Sequence, residues 1–260
     1  MRVAVVTGLR RVLAAGLLAL AAGCATPGSV DDRDPLEAYN RAMYGINEGL
    51  DELVLKPVSS AYRELAPDPL RMWVRNFFAN IADLFIGANS LLQGKPGDAL
   101  NDWARFGFNT TFGLFGINDI ASEMGLEKHD EDFGQTLGVW FMKDPGPYLI
   151  WPLLGSSTLR DSAGRVVDIV VDPVVRLHPV RTRNSLLLTR GISQRADLLD
   201  ASRILEEAAL DKYVFQRDAY LQRRRNQIYD GNPPRESSRG DAPPAAEASP
   251  PAAAPSASGE

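Results

Sequence analysis

The chain has 260 residues, of which 45% are hydrophobic, and its formal net charge at pH 7 is -5. The first 23 residues contain three arginines and no acidic residue, so the remainder carries 25 minus 33, or -8. This acidity argues against general nucleic-acid binding. Cys24 is the only cysteine, which excludes an intramolecular disulfide, and the apolar content suffices for a packed core.

Residues 1–23 have the anatomy of a lipoprotein signal peptide. Arginines precede an apolar run over residues 12–22, which is shorter than the roughly 20 residues that a membrane span needs. Small residues then lead to Cys24, so we expect cleavage before Cys24 and acylation of its thiol. Lipoprotein signals usually have leucine three positions before the cysteine, whereas this chain has Ala21 there. An ordinary secretory signal peptide is the alternative interpretation. Ala25, rather than Asp, favours sorting to the outer membrane.

The rest of the chain is predicted to contain one helical domain. Residues 24–33 form a lipidated tether, residues 34–230 the domain, and residues 231–260 a disordered tail rich in Pro, Ala and Ser. We expect Asp34 to cap the first helix, with Pro35 in its first turn and Glu37 completing a capping box. A second helix is predicted to begin at Asp68 and to end at Gly94.

The segment 103–117 is apolar and rich in glycine, with Arg105 as its only charge. It is predicted to begin as a helix and to turn back as a hairpin. Its side chains are either part of the core or inserted into the membrane, and the lipid anchor favours the second interpretation. The candidates for a lipid channel or hairpin are Phe106, Phe108, Phe112, Leu114, Phe115 and Ile117.

Gly134 and Gly138 are four residues apart, a spacing that allows another helix to approach closely. Residues 146–155 are too rich in helix breakers for a helix, so a turn and an extended piece are expected. The run from 158 to 171 contains many β-branched residues, yet its spacing and a cap at Ser157 favour a helix. The arginines between 160 and 195 form a solvated face or, alternatively, bind headgroups.

The sequence offers little catalytic chemistry. It lacks a G-x-S-x-G motif and has only two histidines, His129 and His178, so we predict no enzyme activity, no metal and no cofactor. A hydrolase using Ser157, Asp161 and His178 is the alternative.

An ordered series of motifs extends over about residues 34–225. The series comprises Asp34-Pro35-Leu36-Glu37, residues 40–44, Lys56-Pro57, residues 76–78, Asn80, Asn89, residues 91–94, Arg105-Phe106, residues 109–111, Gly113, Gly116, Asp119, residues 132–138, Gly146-Pro147-Tyr148 and residues 158–161. Each motif alone is weak, but the complete series, in this order, is specific and resembles the VacJ/MlaA family of outer-membrane lipoproteins.

The resemblance implies an all-α, ring-shaped protein in the inner leaflet of the outer membrane, anchored on the periplasmic side. Its central amphipathic channel would take misplaced phospholipids from the outer leaflet. The implied partners are phospholipid, a trimeric porin and a periplasmic lipid carrier of the MlaC type. The chain departs from the family at residues 139–145, where family members often have glycine and this chain has none. A scaffold lipoprotein that binds porin without moving lipid is the alternative function.

Overall fold

The computed structural model describes residues 31–234. The predicted signal peptide, Cys24, most of the tether and nearly all of the predicted tail lie outside these residues. The helices are α1 (Glu37–Leu50), α2 (Lys56–Leu65), α3 (Asp68–Leu92), α4 (Pro96–Thr111), α5 (Ile120–Glu123), α6 (Phe133–Trp140), α7 (Leu159–Val171), α8 (Val180–Asp197), α9 (Leu199–Ala208) and α10 (Lys212–Ile228).

Two short irregular helices connect these elements. A π-helical turn, Asp51–Leu55, joins α1 to α2, and a 3₁₀ turn, Pro173–Arg176, lies between α7 and α8. The strands β1 (Tyr148–Trp151) and β2 (Gly155–Thr158) pair antiparallel, with Tyr148 opposite Thr158. The predicted all-α class is therefore confirmed, and the extended piece expected in residues 146–155 is part of a small hairpin.

The start of the first helix differs from the prediction. Helix α1 begins at Glu37, and its N-cap residue, Leu36, makes no side-chain cap. Asp34 is instead completely buried, where it accepts hydrogen bonds from Asn40 Nδ2 at 2.8 Å and from the Tyr213 hydroxyl. The capping prediction was wrong because the Asp34 carboxylate is engaged by the Asn40 side chain of α1 and by Tyr213 and Arg217 of α10.

The other helix boundaries follow the sequence signals more closely. Helix α3 begins at Asp68, although Asp68 lies in its first turn and Pro67 occupies the cap position. It ends before Gly94, whose φ of 81° places it in the left-handed region that favours glycine. Helix α7 confirms the choice of helix for 158–171, but its cap is Thr158, which accepts from the Asp161 N–H at 3.2 Å.

The distribution of side chains is inverted relative to an ordinary soluble core. Among the described residues, ten hydrophobic side chains are buried, whereas nineteen polar or charged ones are buried. Conversely, the surface carries many exposed large hydrophobic side chains, including Leu53 and Leu65, which are 82% and 83% exposed. Buried polar groups require partners, and exposed apolar patches mark contact with lipid or protein. Within residues 31–234, no helix is long and apolar enough to cross a bilayer.

Candidate functional site

Helix α4 is followed by a tight turn with exposed apolar side chains, residues 112–117, which we call the apolar turn. Phe112, Leu114 and Phe115 are 66%, 63% and 74% exposed. Leu114 and Phe115 have φ values of 55° and 59°, a left-handed conformation that bulky residues rarely adopt. Such strain persists only where the surrounding structure holds it, and it is typical of functional positions.

The structure separates the six predicted candidates into two groups. Phe112, Leu114 and Phe115 project at the tip of the apolar turn, whereas Phe106, Phe108 and Ile117 are half-buried. The rings of Phe108 and Phe112 stack with their centroids 6.1 Å apart, which links the helix to the tip. The tip is exposed in the protein alone, so it is not part of a closed core.

A buried polar cluster, which we call the Arg105 clamp, holds the base of the apolar turn. Arg105 Nη2 donates to both carboxylate oxygens of Asp119 at 3.0 Å, and its Nη1 donates to the Leu126 carbonyl at 2.6 Å. Asn109 donates to Asp119 at 2.9 Å and accepts from the Ala121 N–H at 2.9 Å. The chain entering the turn is thereby tied to the chain leaving it.

The charge of Asp119 follows from these contacts. Burial disfavours its ionisation, but hydrogen bonds from Ser122, Asn109 and Arg105 outweigh burial and lower the pKa of Asp119 to about 2. Asp119 is therefore ionised at neutral pH, and the Arg105 clamp is a charged pair rather than a neutral hydrogen bond.

Two glycines allow the apolar turn to pack closely against Asn118 and Asn80. A Cβ on Gly113 would lie 2.2 Å from the Asn118 carbonyl oxygen, and one on Gly116 would lie 2.5 Å from Asn80 Cβ. The side-chain amide of Asn76 donates to the Ile117 carbonyl at 3.1 Å. The geometry of the tip is thus set by backbone packing and polar contacts, while its apolar side chains remain available.

The predicted glycine pair lies in a second region, where α6 meets α7 and α10. Gly134 faces Gly164 of α7 so closely that a Cβ on Gly164 would come within 2.3 Å of the Gly134 nitrogen. A Cβ on Gly138 would lie 3.0 Å from Ile228 of α10 and 3.3 Å from Arg160. Both glycines are buried at these helix contacts.

A second buried cluster, the Arg224 centre, joins the same three elements. Arg224 Nη1 and Nη2 donate to the two oxygens of Asp132 at 2.6 and 2.9 Å. Its Nε and Nη2 donate to Asp161 at 3.0 Å, and Tyr220 and Arg160 donate to Asp161 at 2.8 Å. Burial opposes ionisation of Asp161, but Arg224 outweighs it, and the pKa of Asp161 falls to about 2.

Neither buried arginine cluster was predicted from the sequence. The arginines between 160 and 195 were predicted to form a solvated face or to bind headgroups, yet Arg160 is completely buried. Arg190 and Arg195 pair with Asp172 and Asp51 at 2.7 and 2.6 Å. The spacing of Arg105, Asp119, Asp161 and Arg224 follows no local period, so only the folded chain brings these pairs together.

The three residues of the hydrolase alternative form no catalytic triad in the described part of the chain. Asp161 is engaged by Arg160, Arg224 and Tyr220. The buried Ser157 hydroxyl lies 3.0 Å from Ser162 Oγ, and His178 is exposed on a separate segment. A nucleophile, a base and an orienting carboxylate must be mutually hydrogen-bonded, and these three residues are not.

A helical protein with a polar interior, an apolar surface and a rigidly held apolar turn belongs to the class built for contact with lipid at a membrane surface. The model of the MlaA lipoprotein family matches residues 32–227. The chain belongs to this family.

Curated relatives and a solved structure agree with this assignment. The intermembrane phospholipid transport system lipoprotein MlaA of Escherichia coli (strain K12) is 35% identical over 210 residues, covering 78% of this chain and 82% of the relative. The protein of the same name from Haemophilus influenzae is 30% identical over 85% of this chain and 92% of its own length. A solved structure described as the structural basis for maintenance of bacterial outer membrane lipid asymmetry matches with a TM-score of 0.66 and 33% identity, over 76% of this chain and 99% of that one.

Proposed function

We propose that this protein removes mislocalised phospholipids from the outer leaflet of the outer membrane and passes them to a periplasmic carrier, which maintains lipid asymmetry. The observation that carries the proposal is the apolar turn, in which Phe112, Leu114 and Phe115 are exposed on a backbone held by the Arg105 clamp. The names of its relatives in phospholipid transport support the same function.

The energetics of lipid movement explain the value of such a surface. Two acyl chains with about 30 CH₂ groups would cost roughly 25 kcal/mol to expose to water. A transfer protein must therefore offer apolar contact to the chains while the headgroup remains solvated or paired. The exposed tip of the apolar turn provides the apolar contact, and the buried Arg105 clamp holds its geometry.

The proposal includes the anchor and the partners. Cys24 is cleaved free of the signal and acylated, which holds the protein on the periplasmic side of the outer membrane. One acyl chain binds a membrane only marginally, whereas two or three bind it stably. The protein works beside a trimeric porin and passes lipid to a soluble carrier of the MlaC type. The apolar side chains are part of an amphipathic lipid path.

The test replaces the tip side chains in the full-length lipoprotein expressed from its own locus. Phe112→Asp with Phe115→Asp should raise outer-leaflet phospholipid and detergent sensitivity to the level of a deletion strain. The matched control, Phe112→Leu with Phe115→Leu, keeps the apolar character and should preserve asymmetry. Outer-leaflet lipid is measured by enzymatic labelling of intact cells.

Folding, membrane fractionation and porin co-purification of the aspartate variant are checked in parallel. If the variant passes these checks and asymmetry remains normal, the lipid-transfer proposal is wrong and the scaffold alternative is favoured. Release of fatty acid by the purified wild-type protein would instead favour a hydrolase.

A further inference from the structure

A cavity of about 930 Å³ lies on a different part of the molecule from the apolar turn. It is open to solvent and is lined by Asp32, Arg33, Pro35, the loop 143–147, Arg160 and the C-terminal part of α10. We call it the mixed-charge pocket. Its volume is that of a typical small-molecule site, and no residue of the apolar turn lines it.

The cations that line the mixed-charge pocket include two buried arginines and one lysine. Arg160 and Arg224 shape one wall, and both are already bound: Arg160 donates to Asp161 and to the Met142 carbonyl, and Arg224 donates to Asp132 and Asp161. Lys143 makes no ion pair within residues 31–234. Its Nζ lies 5.8 Å from the centroid of the Tyr229 ring.

The remaining charged side chains of the pocket carry both signs. Arg33 and Arg225 line it together with the carboxylates of Asp32, Asp144 and Asp218. Asp218 is already paired with Arg33 and Arg217 at 3.2 and 3.1 Å. Asp144 accepts only from the Gly146 N–H, at 2.9 Å, among the described residues, so an available carboxylate adjoins an available ammonium in the chain.

Apolar groups complete the lining. Leu221, Ile228 and the Tyr229 ring contribute from α10 and its end, and Pro145 and Pro147 contribute from the loop. A pocket with apolar walls, one available cation and one adjoining carboxylate is complementary to a molecule that carries a phosphate diester, an ammonium and a short apolar stem.

The pocket also lies close to the proposed anchor. Asp31, the first described residue, is seven residues after Cys24, so at most about 25 Å of extended chain separates them. If Cys24 is acylated, the wall formed by Asp32 and Arg33 lies within reach of the headgroup layer.

We infer that the mixed-charge pocket binds the headgroup of a zwitterionic glycerophospholipid, with Lys143 contacting the phosphate and Asp144 the ammonium. This inference rests on the proposed function and assigns a headgroup site that is separate from the apolar turn. Because the Asp144 carboxylate adjoins Lys143, a zwitterionic headgroup, whose ammonium can meet that carboxylate, should bind more tightly than an anionic one.

The experiment measures binding to the full-length acylated protein in neutral detergent micelles. Dihexanoyl phosphatidylethanolamine, dihexanoyl phosphatidylglycerol and inorganic phosphate are titrated separately by calorimetry. We expect saturable binding of the ethanolamine lipid, at least about fivefold weaker binding of the glycerol lipid, and weaker binding still of phosphate.

Variants assign the contacts. Lys143→Gln should weaken binding of the ethanolamine lipid about tenfold, the loss expected for one charge-assisted hydrogen bond. Asp144→Asn should reduce the ratio between the affinity for the ethanolamine lipid and the affinity for the glycerol lipid. The matched control is Arg223→Gln, an α10 cation outside the pocket that is 69% exposed, and it should leave both affinities unchanged.

Unchanged affinity in Lys143→Gln, or uptake that never saturates, would overturn the inference. Phosphate binding as tightly as the lipid would show a simple anion site and would also overturn it. None of these outcomes affects the asymmetry measurement on the apolar turn, so failure of the pocket is distinguishable from failure of the proposed function.

Discussion

The Arg105 clamp and the Arg224 centre both bury an arginine among aspartates, yet they serve different ends. At the Arg224 centre the guanidinium donates to Asp132 and Asp161 with all three nitrogens. At the Arg105 clamp, Arg105 Nε and Asp83 Oδ2 are 3.5 Å apart and neither has a hydrogen-bond partner among the described residues. The Arg224 centre joins three helices, whereas the Arg105 clamp positions a strained apolar turn.

Burial of charge therefore serves two different tasks in this fold. Removing one partner at the Arg224 centre would leave the others buried without compensation, so each partner is needed in the folded state. The Arg105 clamp leaves Arg105 Nε and Asp83 Oδ2 without hydrogen-bond partners among the described residues, and it fixes the geometry of residues 112–117. Four predictions test this division.

The largest effect is expected at the Arg224 centre. Arg224→Met should lower the free energy of unfolding by about 3–5 kcal/mol, because Asp132 and Asp161 would remain buried without their cation. The neighbouring Arg223, which forms an exposed pair with Asp130, is the matched control, and Arg223→Met should change stability by less than about 1 kcal/mol. Denaturant titration of the full-length protein in micelles measures both. Equal losses would remove the distinction between the two arginines.

Close helix packing beside the Arg224 centre should give the next largest effect. Gly164→Ala should cost about 1–3 kcal/mol, because its Cβ would meet the backbone of Gly134 at 2.3 Å. Gly107 of α4 has no atom within 4 Å of its ideal Cβ, so Gly107→Ala should stabilise by about 0.5–1 kcal/mol. Both variants are measured by the same denaturant titration, and a neutral Gly164→Ala would contradict the observed contact of α6 with α7.

The Arg105 clamp should show a local rather than a global response. Asn109→Ala removes the bonds to Asp119 and to the Ala121 N–H, so we expect a loss of about 1–2 kcal/mol. Faster amide hydrogen exchange should be confined to residues 112–122. The exposed Asn184 on α8, whose partner is its neighbour Arg183, serves as the control for Asn→Ala. Faster exchange across all helices would show that the clamp is a global element.

The smallest effect is a pH dependence at the edge of the Arg224 centre. Burial, followed by the charge of Asp132, raises the pKa of Asp168 to about 6. A carboxyl group whose pKa is raised in the folded state favours folding below its unfolded pKa, near 4, and that contribution is lost as pH rises through 6. Asp168→Asn keeps an acceptor for the Phe133 N–H, so it should match wild type near pH 4 and be more stable above pH 7. A stability difference that is constant with pH would contradict the shifted pKa.

The sequence predicted local features well where one signal dominated. The all-α class, the helix from Asp68 to Gly94 and the helix at 158–171 were correct, because their periodicity and end signals act within a few residues. The hairpin character of 103–117 was also visible in its glycines, although only the structure separated the exposed tip from the half-buried Phe106, Phe108 and Ile117. The cap at Asp34 was predicted wrongly, because its partner Tyr213 is 179 residues away.

Local chemistry alone determined the helices, the signal anatomy and the family motifs, since each depends on residues close together in the chain. The assignment of buried and exposed side chains depended on the tertiary structure. Arg105 and Arg224 are neutralised only by aspartates that the fold brings to them, from 14 residues away for Asp119 and from 63 or more for Asp161 and Asp132. Once those polar pairs occupy the interior, apolar side chains such as Phe112 and Phe115 are left at the surface, where a lipid can reach them.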